Sequence, residues 1–237
     1  MDLATALRDQ TAALAAAAVD PDAPVPTCPE WRVRDLVAHV GQAHRRAAGI
    51  VRTGQFTQEP PAEPGPPAEW ARWLADGAED LIAAENPRDV WTFFGPRPAA
   101  FWLRRMVADT TVHHADAVLA AGGVPEVAAD LAAEAIAECL DLLSDPAVTT
   151  VRPNLAELRG TGQTLHLKPT TTTGWLITRT PDGVTFDRAD GEADVTATAP
   201  TADLLWLLYR RLPVDDPRVT VTGDRALLDH WLALTVF

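Results

Sequence analysis

The period of the apolar residues changes once along this 237-residue chain, and that change constrains the fold more than any other feature. Before Asp145-Pro146 the pattern is helical. Leu3, Ala6, Leu7 and Leu14 mark a first helix over Asp2 to Val19. Pro21, Pro24 and Pro26 cannot continue it, because proline lacks the amide donor and clashes with the preceding turn. A second helix follows Cys28-Pro29-Glu30-Trp31 and runs to about Arg52, with Leu36, Val37, Val40 and Ile50 on its buried side. The proline-rich stretch from Glu59 to Pro67 predicts a loop. A third helix over Ala68 to Glu85 carries Trp70, Trp73, Leu74, Leu81 and Ile82. Residues 86–98 read as irregular. A fourth helix over Ala99 to Ala121 stops at Gly122-Gly123, and a fifth spans Val127 to Leu143.

Beyond that point the chain alternates. Thr164 to Lys168, Trp175 to Arg179, Val184 to Arg188 and Ala193 to Thr198 each predict a strand. Pro181-Asp182-Gly183 supplies the turn between the middle two. Two late helices, Thr201 to Arg211 and Asp224 to Val236, flank a short strand at Val219 to Thr222. Grouped strands with segregated helices predict an α+β chain of two domains, 1–148 helical and 149–237 small and mixed.

Charge removes some classes of partner. Acidic residues outnumber basic ones 33 to 20, a formal charge of -13, which repels a phosphate backbone and argues against nucleic acid. No apolar run reaches the roughly 18 residues that a membrane span needs. Met1-Asp2-Leu3 opens no basic, signal-like segment, and the two cysteines make no disulfide framework. The expectation is a cytoplasmic protein, a monomer by default. Cys139 sits among apolar helix residues and reads as packing, whereas Cys28 is a minor candidate for a thiol near a site.

Asp109 and His113 stand four apart in a helical segment, so both side chains project from one face about a turn apart. His39 lies mid-helix on another element, and facing helices can bring such residues together. Two histidines, one carboxylate and an open fourth position form a catalytic zinc arrangement. The same set suits non-haem iron, so ligand types alone do not fix the metal. An acid and a histidine at this spacing also occur without metal, and a histidine among apolar neighbours is often a core residue.

The stretch from Cys28 to His39 resembles the opening motif of the mycothiol-dependent maleylpyruvate isomerase family. In that family a proline-x-tryptophan segment leads into the helix that holds the first zinc histidine. The run Arg105 to Ala117 resembles its second motif, in which an acid and a histidine four apart complete the ligand set. Leu204 to Arg211, with Trp175 and Val221-Thr222-Gly223-Asp224, is similar to its sterol-carrier-like second domain. The resemblance spans nearly the whole chain. It implies a DinB-like up-down helical bundle followed by a small sterol-carrier-like α+β domain. It also implies zinc on His39, Asp109 and His113, and mycothiol as the thiol. The isomerase has glutamate where this chain has Asp109, one methylene shorter.

The chemistry so implied is thiol activation. A thiol on zinc ionises near neutral pH. In an isomerase the thiolate adds to a cis double bond, the adduct rotates, and elimination gives the trans product. In an S-transferase it stays attached. The implied substrate is a small electrophile such as a maleylpyruvate-like cis-enoic acid. The alternative is a non-catalytic metal-containing binding or regulatory protein on the same scaffold.

Further candidates surround the trio. Asp116, three residues past His113, shares its face and can orient a ligand. Arg210 matches the family's arginine at the end of a leucine- and tryptophan-rich helix, where it can grip a carboxylate bidentately. Arg211, Arg104 and Arg105 are weaker candidates for that work. Trp102 is expected to line the site and Trp31 to pack beside the His39 helix. Asp35 reads as a helix-start acid. His44 and His114 point away and are expected to be partly exposed, while His166 and His230 are structural.

Overall fold

The computed structural model describes residues 1–56 and 63–235. Val236, and residues 59–62 of the Glu59 to Pro67 loop, therefore lie outside the described residues. The chain divides into two compact units, Met1–Glu126 and Val127–Phe237.

The first unit holds four long helices, α1 (Leu3–Ala17), α2 (Val33–Thr53), α3 (Trp70–Ala84) and α4 (Ala100–Ala120). Helix α1 packs on α3 and α4, and α2 packs on the same two. Their limits follow from local chemistry. Asp2 caps α1 by accepting from Ala4 N at 3.1 Å. Asp35 Oδ2 accepts from Arg32 N at 2.8 Å and closes the start of α2, so this acid does the capping work expected of a helix-start residue. Gly54 ends α2 in the left-handed region, φ 78°, where its N–H reaches Ile50 O at 2.7 Å. Between α3 and α4, residues 86–98 contain a two-residue ribbon, β1 (Asp89–Val90) against β2 (Arg97–Pro98). Alternation over two residues leaves no sequence signature, so that stretch reads as irregular.

Packing of α2 on α3 is close. A Cβ at Gly41 would run into the Trp73 ring, and one at Gly77 would meet the Arg45 guanidinium. Arg45 donates to Gly41 O at 2.9 Å and to Trp73 O at 2.7 Å, with its guanidinium 4.2 Å from the Trp73 ring centre. The two helices are thus locked in register beneath His39.

The second unit begins earlier than the change of period suggests. Helix α5 (Ala129–Ser144) packs on α7 (Thr201–Leu208) and on strand β5 (Gly183–Arg188), so it groups with the sheet although its sequence is helical. The division therefore falls at Glu126 rather than 148. A short helix α6 (Val148–Val151) and a 3₁₀ turn (Pro153–Leu158) follow. The sheet adds β3 (Thr164–Pro169), β4 (Trp175–Thr180), β6 (Val195–Ala199) and β7 (Thr220–Gly223), in the order β5-β4-β3-β6-β7. Among the described residues only the β3–β6 pair is parallel. Register places Leu165 beside Ile177 and Val195, and Leu167 beside Trp175 and Ala197. These six residues share one face and all are buried. Helix α7 packs on β3 and β6, and α8 (Arg225–Leu234) packs on β6. The molecule is the mixed helix-and-sheet protein that the change of period predicts.

Candidate metal centre

Two helices supply the trio. His39 projects from α2, two turns past its start, and Asp109 and His113 project from consecutive turns of α4. The ligand atoms of His39, Asp109 and His113 all lie within 4.8 Å of one another. The two imidazole rings stand edge to face, centres 4.9 Å apart. His39 is exposed, while Asp109 and His113 are half-buried, so the cluster opens to solvent on the α2 side. Trp31 covers it from another side, its ring 4.7 Å from His39 and 5.9 Å from His113.

Neighbouring polar groups hold two of the three side chains. The Arg105 guanidinium donates to Asp109 Oδ1 at 3.0 Å. Asp116 Oδ2 lies 2.9 Å from His113 Nδ1, and Asp116 Oδ1 accepts from Thr27 Oγ1 at 2.5 Å. A carboxylate only accepts, so His113 Nδ1 carries the proton and its Nε2 lone pair is left for a ligand. This is the arrangement that fixes the tautomer of a metal-binding histidine. Asp116 is fully buried, so its charge depends on these partners.

The electrostatics suit a cation. Burial would raise the Asp109 carboxyl, but the pull of His113 and Arg105, with that of His39, outweighs it and holds the pKa down at about 2. Crowding by protein lowers His39, against the attraction of Asp109, which keeps its ring neutral and able to donate a lone pair. A tetrahedral zinc site with bonds of about 2.0–2.2 Å spaces its ligand atoms by roughly 3.4 Å. The side chains therefore reach a shared ion by closing about an ångström. Two imidazoles and one carboxylate form a donor set that zinc accepts with a fourth position open, and other divalent metals accept it too.

The remaining candidates fall elsewhere. His44 is not partly exposed. It is completely buried, with Nε2 2.8 Å from Thr110 Oγ1, because the α2–α4 contact encloses it. His114 is half-buried with Nδ1 3.0 Å from Gln10 Oε1. His166 is buried 3.5 Å from Asp190 Oδ1. Trp102 lies seven residues before Asp109 on α4, stacked on Trp91, with its indole N–H donating to Trp91 O at 2.8 Å. Cys28 is half-buried against the apolar core of the first unit. Arg210 belongs to the second unit and is exposed. Thr27 and the Arg105–Asp109 pair are the parts that sequence reasoning misses as such. The latter has a signal, an arginine and an acid at i,i+4, while the former has none.

Comparison with known families places these residues in context. The profile of the mycothiol maleylpyruvate isomerase N-terminal domain matches residues 2–118, and that of the MDMPI C-terminal domain matches 118–230. The chain belongs to the mycothiol maleylpyruvate isomerase family. Among solved structures, that of the mycothiol-dependent maleylpyruvate isomerase shares 18% identity and a TM-score of 0.54, over 94% of this chain and 93% of that one. A point mutant of the isomerase gives 16% identity and a TM-score of 0.56 over the same shares. At that identity the likeness shows a common fold. No curated protein matches in sequence. Among the described residues no helix is long and apolar enough to cross a membrane.

Proposed function

We propose that this family member is a mycothiol-dependent isomerase whose metal centre is His39, Asp109 and His113, acting on a small electrophile such as a maleylpyruvate-like cis-enoic acid. The observation that carries the reading is the convergence of these three groups within 4.8 Å. Family membership along both units supports it.

A divalent cation held by His39, Asp109 and His113, zinc in this reading, would supply the positive charge that favours the ionised form of a thiol near neutral pH. The chain's own residues do the rest. Asp116 keeps the proton on His113 Nδ1 and so would leave the Nε2 lone pair for the ion. Arg105 engages one oxygen of Asp109 and leaves the other for the ion. Trp31 lies against one side of the two rings, and the exposed side of His39 is the approach for thiol and substrate. Trp102 shares the Asp109 stripe of α4 and is assigned to the wall that receives the thiol. Arg210 is assigned to bind a carboxylate of substrate or thiol. It is exposed and held in the left-handed backbone region, φ 63°, an unusual conformation for a side chain of this size. The chemistry needs only small-molecule partners and suits a cytoplasmic monomer.

The test measures metal content and thiol-dependent turnover together. About one zinc per chain, lost in His113→Ala, with cis-to-trans isomerisation only when mycothiol is present, is the expected result. A product that retains the thiol identifies an S-transferase on the same centre. Absence of metal after zinc is offered overturns the reading.

A further inference from the structure

We propose that Thr27 is a positioning residue for His113, acting through Asp116, and that the loop 20–32 thereby sets the metal affinity of the centre. The inference rests on the metal reading above.

Asp116 divides its two oxygens between two elements. Oδ2 meets His113 Nδ1 at 2.9 Å within α4, and Oδ1 receives the Thr27 hydroxyl at 2.5 Å from a loop 89 residues away in sequence. A carboxylate held on one oxygen alone can rotate about its χ2 axis. Held on both, it presents Oδ2 to the imidazole in one orientation, and the ring plane of His113 is fixed with it. Asp116 is fully buried, so bulk water does not compete with these two hydrogen bonds.

The loop is built to keep Thr27 in place. Cys28 N donates to Val25 O at 3.0 Å, Trp31 N to Cys28 O at 2.8 Å, and Val25 N to Trp31 O at 3.0 Å. Pro24 bridges to Arg32, and Val33 N reaches Ala23 O at 3.0 Å. Val25 is completely buried and anchors the turn in the core. The same loop carries Trp31, whose ring lies against both His39 and His113. One self-bonded segment thus touches the α2 ligand through a ring and the α4 ligand through a carboxylate. It also runs directly into α2, which carries His39.

The experiment compares zinc affinity of the full-length wild type, Thr27→Val and Thr27→Ser by chelator competition, with thermal melts of each metal-free protein. Valine keeps the shape and removes the donor, while serine keeps the donor. Zinc binding about tenfold weaker in Thr27→Val, restored to within about twofold in Thr27→Ser, is expected. A metal-free melt of Thr27→Val that stays cooperative separates loss of positioning from loss of fold. If wild type and Thr27→Val bind zinc equally, the role of Thr27 is overturned and the metal centre stands. Failure of wild type to bind zinc overturns the metal reading itself, and this inference with it. Equal weakening in the serine and valine variants shows packing rather than the hydroxyl at work and also overturns the proposal.

Discussion

Arg105 and Asp109 form a charge-assisted pair one turn apart on α4, with the guanidinium 3.0 Å from Asp109 Oδ1 and both side chains mostly shielded from solvent. Burial acts to raise the carboxyl, and the attraction of His113, Arg105 and His39 reverses that, leaving the pKa at about 2. A carboxyl depressed in the folded state adds stability above its unfolded pKa near 4, and that stability is lost as pH falls through about 2. Arg105→Gln removes one of the two main attractions. In the metal-free protein its Asp109 carboxyl is expected to titrate well above the wild-type value, read from side-chain carboxyl chemical shifts. The variant is also expected to be less stable at pH 7 by about 2 kcal/mol, because the buried carboxylate loses a partner. An unmoved titration would show that His113 and His39 hold the charge without Arg105.

His44 sets a different pH dependence. It is completely enclosed, and burial outweighs the pull of Asp109 to lower its pKa to about 4. A histidine depressed in the folded state binds its proton more readily when unfolded, so stability rises with pH across the window from about 4 to about 6.5. The metal-free protein is expected to lose about 3 kcal/mol on going from pH 6.5 to 4 through this residue. His44→Gln keeps a polar partner for Thr110 and removes the ionisation. Urea melts at several pH values are expected to show a flatter profile for the variant over that window. An unchanged slope would assign the pH dependence to other groups.

These two residues also show what a sequence of this kind reveals. Asp109 and His113 are legible because the helix period alone puts i and i+4 on one face. His39 is legible through the resemblance of Cys28 to His39 to the family's first motif, since a histidine among apolar residues is by itself often a core residue. The partners that orient them are not, since Thr27 reaches Asp116 only after α2 and α4 have packed. The spacing of His44 from His39 predicts partial exposure, but a residue off one helix face is buried whenever a neighbouring helix covers that side. The helix α5 shows the same limit at the level of units. Its period announces a helix, while its allegiance to the sheet is decided by contacts with α7 and β5. Long elements were legible to within a few residues, and the two-residue ribbon of β1 and β2 lies below the length at which alternation carries information.

Gly41 tests the packing beneath the centre. An added Cβ there overlaps the Trp73 ring, which is itself fixed by the Arg45 guanidinium above it. Either the ring or the whole of α2 must move. Gly41→Ala is expected to cost about 1–3 kcal/mol of stability by overpacking, despite the better helix propensity of alanine. Because α2 carries His39, zinc affinity is expected to fall as well, by calorimetric titration. A variant as stable as wild type would mean that the α2–α3 contact yields without strain.

Arg210 separates stability from function. It occupies the position after the end of α7 where the chain turns left-handed, and its φ is 63°. Arg211 N reaches back to Trp206 O at 2.7 Å and Arg210 N to Leu207 O at 3.0 Å, the paired bonds of a Schellman termination. Glycine is the residue that such a position favours, since a Cβ there costs about 1 kcal/mol. A chain selected for stability alone would place glycine at 210. Arg210→Gly is therefore expected to melt higher, with a gain of about 1 kcal/mol, partly offset by the added freedom of the unfolded chain. If the guanidinium binds a carboxylate of substrate or thiol, the same variant is expected to lose at least about tenfold in kcat/KM, equivalent to about 1.4 kcal/mol of lost binding in the transition state. Arg210→Lys, which keeps the charge without the planar fork, is expected to recover only part of that loss. A glycine variant that is both more stable and fully active would make Arg210 a solvated helix end and not a binding residue.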